Sequence, residues 1–364
     1  MQRERLFARG HLLRFVNLTL LAVLVVQGLT GLYALFATRQ AWLVDLHRAA
    51  GWALIALAPL KASISWRSLR RGLDARFDRS IMIGVSLLLA AAAIAIIVLG
   101  LMWAWRIGPM WLWLYQTVIA WHWILGLAIV PLVALHAWRR WPRPRAEDFT
   151  ARRGAVKLGM LTAAGVAGWL LTEALAQSRA TGDSPRRRVT GSRGDGLYEG
   201  NSFPLTGERA PEVDIAVWRL HVGGAVAAPL ALSFEDVLAL PRATLDAELD
   251  CTLGWYTRQH WQGVRLMVLL AEAGASPSTA GIRAVSVTGY EHTFPLAEAR
   301  GMLLATHVGG EALSTGHGSP LRVVIPGRRG WFWVKWLGRI DVLDDPLEVV
   351  GGVLGAPRQV LRQF

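Results

Sequence analysis

The 364-residue sequence contains a single cysteine, Cys251, and this scarcity excludes several kinds of metal site. One thiol cannot form an internal disulfide, a c-type haem attachment, a four-cysteine iron–sulfur cluster or a multi-cysteine zinc site. Any metal chemistry in this chain therefore depends on histidine or on that one thiol.

Acidic residues are scarce in the first half of the chain. Residues 1–177 hold 20 Lys and Arg against 7 Asp and Glu, whereas residues 178–364 hold 19 of each class. The net charge of +13 thus belongs to the first half, which also carries the long apolar runs. Basic clusters beside apolar runs are typical of the cytoplasmic loops of membrane proteins, so we expect no nucleic-acid partner.

Five apolar segments are long enough to cross the ~30 Å hydrocarbon core of a bilayer as helices, the fifth being the weakest. Basic residues cluster before the first segment, after the second and after the fourth. The positive-inside rule then predicts a multi-pass protein of the bacterial inner membrane, in contact with lipid, with a cytoplasmic N-terminus and a periplasmic C-terminal half. The segments are 12–36, 49–66, 81–102, 118–138 and 158–175.

Four histidines fall in this apolar half: His11, His47, His122 and His136. His122 and His136 are 14 residues apart, which places them on one face of a helix about 21 Å apart along its axis. The predicted topology puts His47 at the depth of His122, and His11 at the depth of His136. Each pair would supply the two axial imidazoles of a b-type haem. The alternative is that these histidines only pack or lie at the membrane interface.

Glycines one turn deeper than the outer pair, Gly51 and Gly126, leave room for a porphyrin. With these features, residues 1–142 resemble the di-haem b-type cytochrome subunits of formate dehydrogenases and nickel–iron hydrogenases. The resemblance implies a four-helix haem bundle that exchanges electrons with quinone or quinol.

The second half has a different pattern. A basic loop and the fifth helix occupy residues 143–176, and residues 177–200, rich in Gly, Ser, Arg and Asp, predict a flexible linker. Short strand-like runs separated by Gly and Pro then predict a soluble, strand-rich mixed α+β domain over residues 201–345, followed by a tail over 346–364. The predicted fold class is therefore an all-α membrane bundle of four helices plus a fifth, followed by this soluble domain.

Three motifs in the soluble domain follow one another in order. Cys251 precedes the stretch WQGVRL, HGSPLR begins at His317, and VKWLGRI contains Lys335. Together they resemble the molybdopterin-binding domain of the sulfite oxidase family over about residues 201–345. The element from Asn201 to Pro204 is similar to that family's entry to the cofactor pocket.

The resemblance assigns roles to these residues. Cys251 would be the thiolate ligand of molybdenum, a soft donor that suits this metal. His317, Arg322 and Lys335 would bind the anionic phosphate of the pterin, and Asn201 would also contact the cofactor. Arg328 and Arg329 belong to the same glycine-punctuated region and are either further contacts or a solvated basic loop.

The sequence also departs from the family. Sulfite oxidases carry an Arg pair after the cysteine and a tyrosine beyond the VKWLGR segment, and both are absent here. Sulfite is therefore a doubtful substrate. We expect a more aromatic pocket lined by Trp255, Tyr256, Arg258 and His260.

Two arginines before the fifth segment, Arg152 and Arg153, are followed by Lys157. The spacing looks like an internal twin-arginine export signal, which would suit a domain loaded with its cofactor in the cytoplasm. Arginines that only obey the positive-inside rule are an equal alternative.

The sequence thus predicts a membrane molybdenum oxidoreductase that transfers an oxygen atom on a small substrate and exchanges electrons with quinone through two haems. An S- or N-oxide reductase and a dehydrogenase would look alike at this level. The alternatives are a transmembrane electron conduit whose C-terminal domain only binds a redox partner, and a membrane sensor without haem or molybdenum.

Overall fold

The computed structural model describes residues 2–36, 40–72, 77–140, 152–178, 188–194, 198–205 and 208–354. The chain divides into two compact units, the first ending at Gly191 and the second beginning at Ser192. The first is helical and the second contains all of the described strands. This division confirms the predicted helical region followed by a strand-rich domain.

The helical unit contains five stretches that are long and apolar enough to cross a membrane. They are Leu13–Phe36, Ala41–Trp66, Ile83–Trp105, Val118–Arg139 and Gly154–Ser178. Their helices are α1 (Gln2–Phe36), α2 (Ala41–Gly72), α3 (Phe77–Trp105), α4 (Val118–Ala128), α5 (Val130–Arg140) and α6 (Arg152–Ser178). The fourth stretch combines α4 and α5, with Pro131 just after the junction. Backbone bonds from Ile129 to Leu125 O and from Val133 to Ile129 O continue across it.

The fifth stretch packs closely on α2. A Cβ at Gly168 would lie 2.5 Å from the Trp52 ring, and one at Gly165 would lie 2.6 Å from the Ala49 carbonyl oxygen. The Trp52 indole also donates a 2.9 Å hydrogen bond to the Thr172 hydroxyl. Small residues therefore let the backbones of these two helices approach, as is common between membrane helices.

The second unit is built on two five-stranded sheets. The strands are β1 (Leu220–Gly224), β2 (Leu230–Leu232), β3 (Arg242–Asp250), β4 (Tyr256–Arg265), β5 (Gly281–Ser286), β6 (Glu291–Pro295), β7 (Leu303–Val308), β8 (Glu311–Ala312), β9 (Arg322–Val324) and β10 (Leu337–Leu343). The first sheet has the order β2-β1-β10-β5-β6, with β1 parallel to β10; the second has the order β3-β4-β7-β8, with β9 also paired to β7. The helices are α7 (Phe234–Ala239), α8 (Leu266–Glu272), α9 (Leu296–Ala299) and α10 (Pro346–Leu354).

Two boundaries differ from those drawn on the sequence. Ser192 and Arg193 fall within the predicted linker, yet both are buried, and the Ser192 hydroxyl donates a 2.6 Å hydrogen bond to Asp250. Helix α10 falls within the predicted tail, yet Val349 packs against Gly281 and Glu348 pairs with Arg283 at 2.6 Å. Composition did not reveal these segments because their contacts are with residues distant in the sequence. Residues 179–187, 195–197 and 355–364 lie outside the described part of the chain.

Candidate active site

Cys251 lies directly after β3, in a tight turn that leads into β4. Its backbone N–H donates to the Trp255 carbonyl at 2.8 Å, and its carbonyl accepts from Gly254 at 2.9 Å. Gly254 has φ of +87°, a left-handed conformation that favours glycine. The turn therefore fixes the cysteine at the end of a buried strand, where its side chain is 5% exposed.

The thiol is surrounded by charge. Burial raises the pKa of Cys251 to about 11, while the nearby cations Arg329 and Lys335 oppose that shift. Arg329 donates to the Cys251 carbonyl at 2.9 Å and lies 3.4 Å from the Asp250 carboxylate. Without a bound metal the group is therefore a thiol near neutral pH, and coordination to a cation would favour the thiolate.

Arg322 is a deeply buried cation of this site. It begins β9, is 3% exposed, and has its guanidinium carbon 5.6–5.8 Å from the ring centres of Phe203, Trp261 and Trp333. Burial lowers its pKa to about 10. Its Nη1 donates to the His317 carbonyl at 2.8 Å, whereas its buried Nε has no hydrogen-bond partner among the described residues.

Lys335 lies close to Arg322 and is partly buried, with its side chain 14% exposed. Its ammonium pairs with the Glu208 carboxylate at 2.8 Å and lies 4.9 Å from the Trp336 ring centre. Burial lowers the pKa of Lys335, and Glu208 opposes the shift. Gly318 permits the approach of the two cations, since it has φ of +112° and a Cβ there would lie 3.2 Å from the Cβ atoms of both Arg322 and Lys335.

His317 is buried on the same loop, but both of its ring nitrogens already have partners. Nδ1 lies 2.7 Å from the Ser314 hydroxyl and Nε2 lies 2.9 Å from the Phe203 carbonyl. Burial lowers the pKa of His317, so the ring is neutral near pH 7. It joins the loop before β9 to the segment that contains Phe203.

Asn201 holds that segment from the other side. Its amide donates to Glu311 at 3.1 Å and to the Ala312 carbonyl at 2.9 Å, and its Oδ1 accepts from the Ser314 N–H at 2.9 Å. The structure therefore brings Cys251, Arg322 and Lys335 together, while the side chains of Asn201 and His317 are engaged in holding the loops around them.

Two residues expected to line the pocket do not do so. Side chains alternate along β4, so that Thr257, Gln259 and Trp261 are buried whereas Arg258 and His260 are exposed. His260 pairs with Asp246 on the neighbouring strand at 2.9 Å. The expectation for Arg258 and His260 is wrong because they lie on the opposite face of the strand from Trp261, which contacts Arg322. Trp255 is buried, and its place in the wall of the pocket stays a prediction.

The sequence did not reveal a buried Tyr290–His292 pair. The Tyr290 hydroxyl lies 2.8 Å from His292 Nε2 and donates to the Trp331 carbonyl at 2.7 Å. Burial raises the pKa of Tyr290 and lowers that of His292 to about 4. The only signal was the letters GYEH, which resemble an ordinary turn.

The buried groups fit a molybdenum pterin cofactor. Cys251 is the only cysteine and offers one soft ligand, while Arg322 and Lys335 supply cations that suit an anionic phosphate. The unpartnered Nε atoms of Arg322 and Arg329 are buried donors that a bound group would satisfy. Among the described residues, no three His, Cys, Asp or Glu side chains cluster so as to hold a metal ion by themselves.

The helical unit contains a pair of neighbouring histidines. The ring centres of His47 on α2 and His122 on α4 are 6.1 Å apart, with ring planes at 80°. Metal–imidazole bonds of about 2.0 Å place two imidazoles on opposite sides of one metal with their centres roughly 6 Å apart. The outer pair therefore has the spacing that bis-histidine coordination needs.

The inner pair is described only in part. His136 lies on α5 with Nδ1 3.5 Å from the Ser86 hydroxyl. His11 belongs to α1, but its side chain lies outside the described residues, as do those of Arg152 and Arg153. Of the glycines expected to make room for porphyrin, Gly126 would place a Cβ in open space, and Gly51 would place one 3.2 Å from Gln27 Nε2.

Comparison with known proteins matches residues 207–349 to the oxidoreductase molybdopterin-binding domain. The uncharacterized oxidoreductase YuiH of Bacillus subtilis is 37% identical over 149 residues, which cover 40% of this chain and 75% of YuiH. Human mitochondrial sulfite oxidase is 34% identical over 167 residues, 37% of this chain and 31% of that enzyme. The methionine-sulfoxide reductase catalytic subunit MsrP of Gluconobacter oxydans is 27% identical over 238 residues, 56% of this chain and 75% of MsrP.

These matches are uneven in extent. The chain spans three quarters of YuiH but less than a third of sulfite oxidase. The family match begins at residue 207, so it contains Cys251, His317, Arg322 and Lys335 but neither Asn201 nor any of the four histidines of the helical unit.

Proposed function

The chain belongs to the oxidoreductase molybdopterin-binding domain family, and on that premise we propose that it is a membrane-bound molybdenum oxidoreductase. It moves an oxygen atom to or from a small substrate and exchanges the electrons with quinone through two b-type haems. The observation that carries the proposal is the buried Cys251 thiol within electrostatic range of the buried cation Arg322 and the partly buried cation Lys335.

In this proposal Cys251 is the protein ligand of molybdenum, which when bound supplies two-electron oxygen-atom chemistry. Arg322 and Lys335 bind the pterin phosphate, and the unpartnered Nε of Arg322 is one donor available to it. Asn201 and His317 act indirectly, since their hydrogen bonds hold the segments before β1 and before β9 around these cations.

The haems belong to the helical unit. His47 and His122 hold the outer haem, and their 6.1 Å centre-to-centre distance supports that assignment. His11 and His136 hold the inner haem on the basis of the 14-residue spacing from His122 to His136. The purified chain should therefore show a reducible b-type spectrum with two haems. Well-folded protein without haem would contradict this part of the proposal.

The five apolar stretches support a multi-pass protein of the bacterial inner membrane. The arrangement of basic residues supports a cytoplasmic N-terminus and a periplasmic second unit. A reporter fused after residue 364 should then be active only in the periplasm, and one fused near residue 145 only in the cytoplasm. If Arg152 and Arg153 form an export signal, replacing both by lysine should block export of the second unit.

A sulfoxide or N-oxide suits the site better than sulfite. The arginine pair expected for sulfite is absent after Cys251. The first arginine that follows Cys251 in the sequence, Arg258, is exposed on the face of β4 opposite Trp261. The relative MsrP is named for reduction of methionine sulfoxide in proteins. The substrate class is best determined by assaying sulfoxides, N-oxides and sulfite with the same preparation.

The runner-up is a transmembrane electron conduit whose second unit binds a redox partner without molybdenum turnover. Metal analysis of the full chain in detergent distinguishes the two. About one molybdenum per chain, with substrate-dependent oxidation or reduction of the haems, supports the enzyme. Two haems without molybdenum, in protein made by cells that load a control molybdoenzyme, would support the conduit.

A further inference from the structure

Each histidine of the outer pair is held by the helix that precedes its own. Thr30 and Gly31 of α1 contact His47 of α2, and Ile96 and Gly100 of α3 contact His122 of α4. The same arrangement thus occurs twice, with one hydrogen-bond acceptor and one glycine for each imidazole.

The acceptors fix the tautomer of both rings. His122 Nδ1 lies 2.8 Å from the Ile96 carbonyl, which can only accept, so Nδ1 carries the proton. His47 Nδ1 lies 3.1 Å from the Thr30 hydroxyl, whose own hydrogen is donated to the Val26 carbonyl at 2.6 Å. That hydroxyl therefore accepts from His47, and Nε2 of both rings is left unprotonated, as a metal ligand must be.

The glycines limit how far each ring can turn. A Cβ at Gly31 would lie 3.1 Å from His47 Cε1, and one at Gly100 would lie 3.1 Å from His122 Cε1. Each ring thus has a helix backbone against one edge and a hydrogen bond at Nδ1. The two ring planes lie at 80° to each other.

We propose that Thr30 is a positioning residue for the outer haem. Its hydroxyl holds the His47 ring perpendicular to the His122 ring, and it makes the His47 imidazole a stronger electron donor to the iron. The inference rests on the haem of the proposed function. When the ring nitrogen that does not bind the metal donates a hydrogen bond, the histidine becomes a more basic ligand. A more basic ligand stabilises ferric over ferrous iron, so the hydroxyl of Thr30 lowers the midpoint potential of this haem.

The test uses the full chain in detergent, with Thr30→Val and Thr30→Ser compared by redox titration of the haem spectrum and by electron paramagnetic resonance of the oxidised protein. Thr30→Val keeps the shape but removes the acceptor, so one of two midpoint potentials should rise. The low-spin ferric signal expected for perpendicular imidazoles should shift as well. Thr30→Ser keeps the hydroxyl and should behave as wild type.

Thr162→Val is the matched control, because the Thr162 hydroxyl also donates to the carbonyl four residues before it, Leu158, but on α6. Gly31→Ala offers a second variant, since its methyl group presses on His47 while Thr30 remains; its resonance signal should change. Loss of one haem in Thr30→Val but not in Thr30→Ser also supports the role.

Unchanged potentials and signals in haem-loaded Thr30→Val would overturn the inference, as would equal loss of haem in both Thr30 variants. Absence of haem from the wild-type chain is a different result, which refutes the proposed cytochrome itself.

Discussion

The two candidate sites of this molecule place polar groups in opposite settings. In the strand-rich unit the cations are enclosed by aromatic rings, and Trp255, Trp261, Trp333 and Trp336 are among the most buried side chains. In the helical unit large apolar side chains are exposed, such as Leu29 at 65% and Ile94 at 63%, while the polar contacts lie between the helices. Such a surface supports the proposed membrane location, because exposed apolar side chains are favourable in contact with lipid.

The difference explains how each site is held. Around Cys251, loops from distant parts of the sequence converge, and backbone carbonyls and carboxylates balance the buried cations. Around His47 and His122, rigid helices supply one hydrogen bond and one glycine per ring. The first site depends on charge balance, and the second depends on helix spacing.

The largest expected effect is a loss of substrate turnover that leaves the haem spectrum unchanged. Cys251→Ser should reduce substrate-dependent haem oxidation or reduction to background, because a hydroxyl is a harder and less readily ionised ligand than a thiol. The haem spectrum should be unchanged, since the proposed ligands of the haems belong to the other unit. Substrate turnover by the full chain, followed at the haem absorbance, measures both. Full turnover in the variant would contradict the assignment of Cys251.

Substitution of the histidines in the helical unit should leave the molybdenum site intact. His122→Ala removes one proposed ligand of the outer haem, so we expect half of the haem to be lost while molybdenum content remains. His136→Ala should remove the other haem. Quantifying haem and metal in parallel checks this, and a His122→Ala chain that retains both haems would invalidate the pairing with His47.

A more graded effect is expected at Arg322. Arg322→Met removes a buried cation but keeps an unbranched side chain among the aromatic rings, so pterin content should fall sharply while the second unit stays folded. Arg258→Met, on the exposed face of β4, is the matched control and should retain the cofactor. The measurement is pterin released per chain, together with the circular dichroism spectrum. Equal cofactor content in both variants would argue against a phosphate site at Arg322.

The smallest effect concerns stability in acid. Burial holds the pKa of His292 at about 4, against 6.5 in the unfolded chain, so unfolding takes up a proton as the pH falls between these values. The free energy of unfolding should decrease over that range by up to roughly 3 kcal/mol. In His292→Gln the decrease should be smaller, with His260→Gln as the control. Urea unfolding of the second unit at pH 7 and pH 4.5 tests it, and identical pH dependence in both variants would refute the role of His292.

Much of the architecture was predictable from the sequence. The five apolar runs correspond to the five long helical stretches. The order of the three motifs around Cys251, His317 and Lys335 indicated the family that the comparisons then matched. Such features can be recognised in the sequence alone because helix length, apolar periodicity and loop motifs are local properties.

Contacts between distant segments were not predictable in this way. The sequence drew attention to Gly51 and Gly126, whereas the imidazoles are backed by Gly31 and Gly100 on neighbouring helices. It also placed Arg258 and His260 in the pocket, although the β4 register turns both outward.

The sequence by itself determined the two-part organisation, the sole thiol available for molybdenum and the histidine spacing along the fourth apolar segment. Only the tertiary structure decided which groups surround these residues: Arg329 at the Cys251 carbonyl, three aromatic rings around Arg322, and Thr30 at His47. The physical reason is that periodicity fixes the face of a helix or strand on which a residue lies, while helix crossing and strand register fix what that face meets.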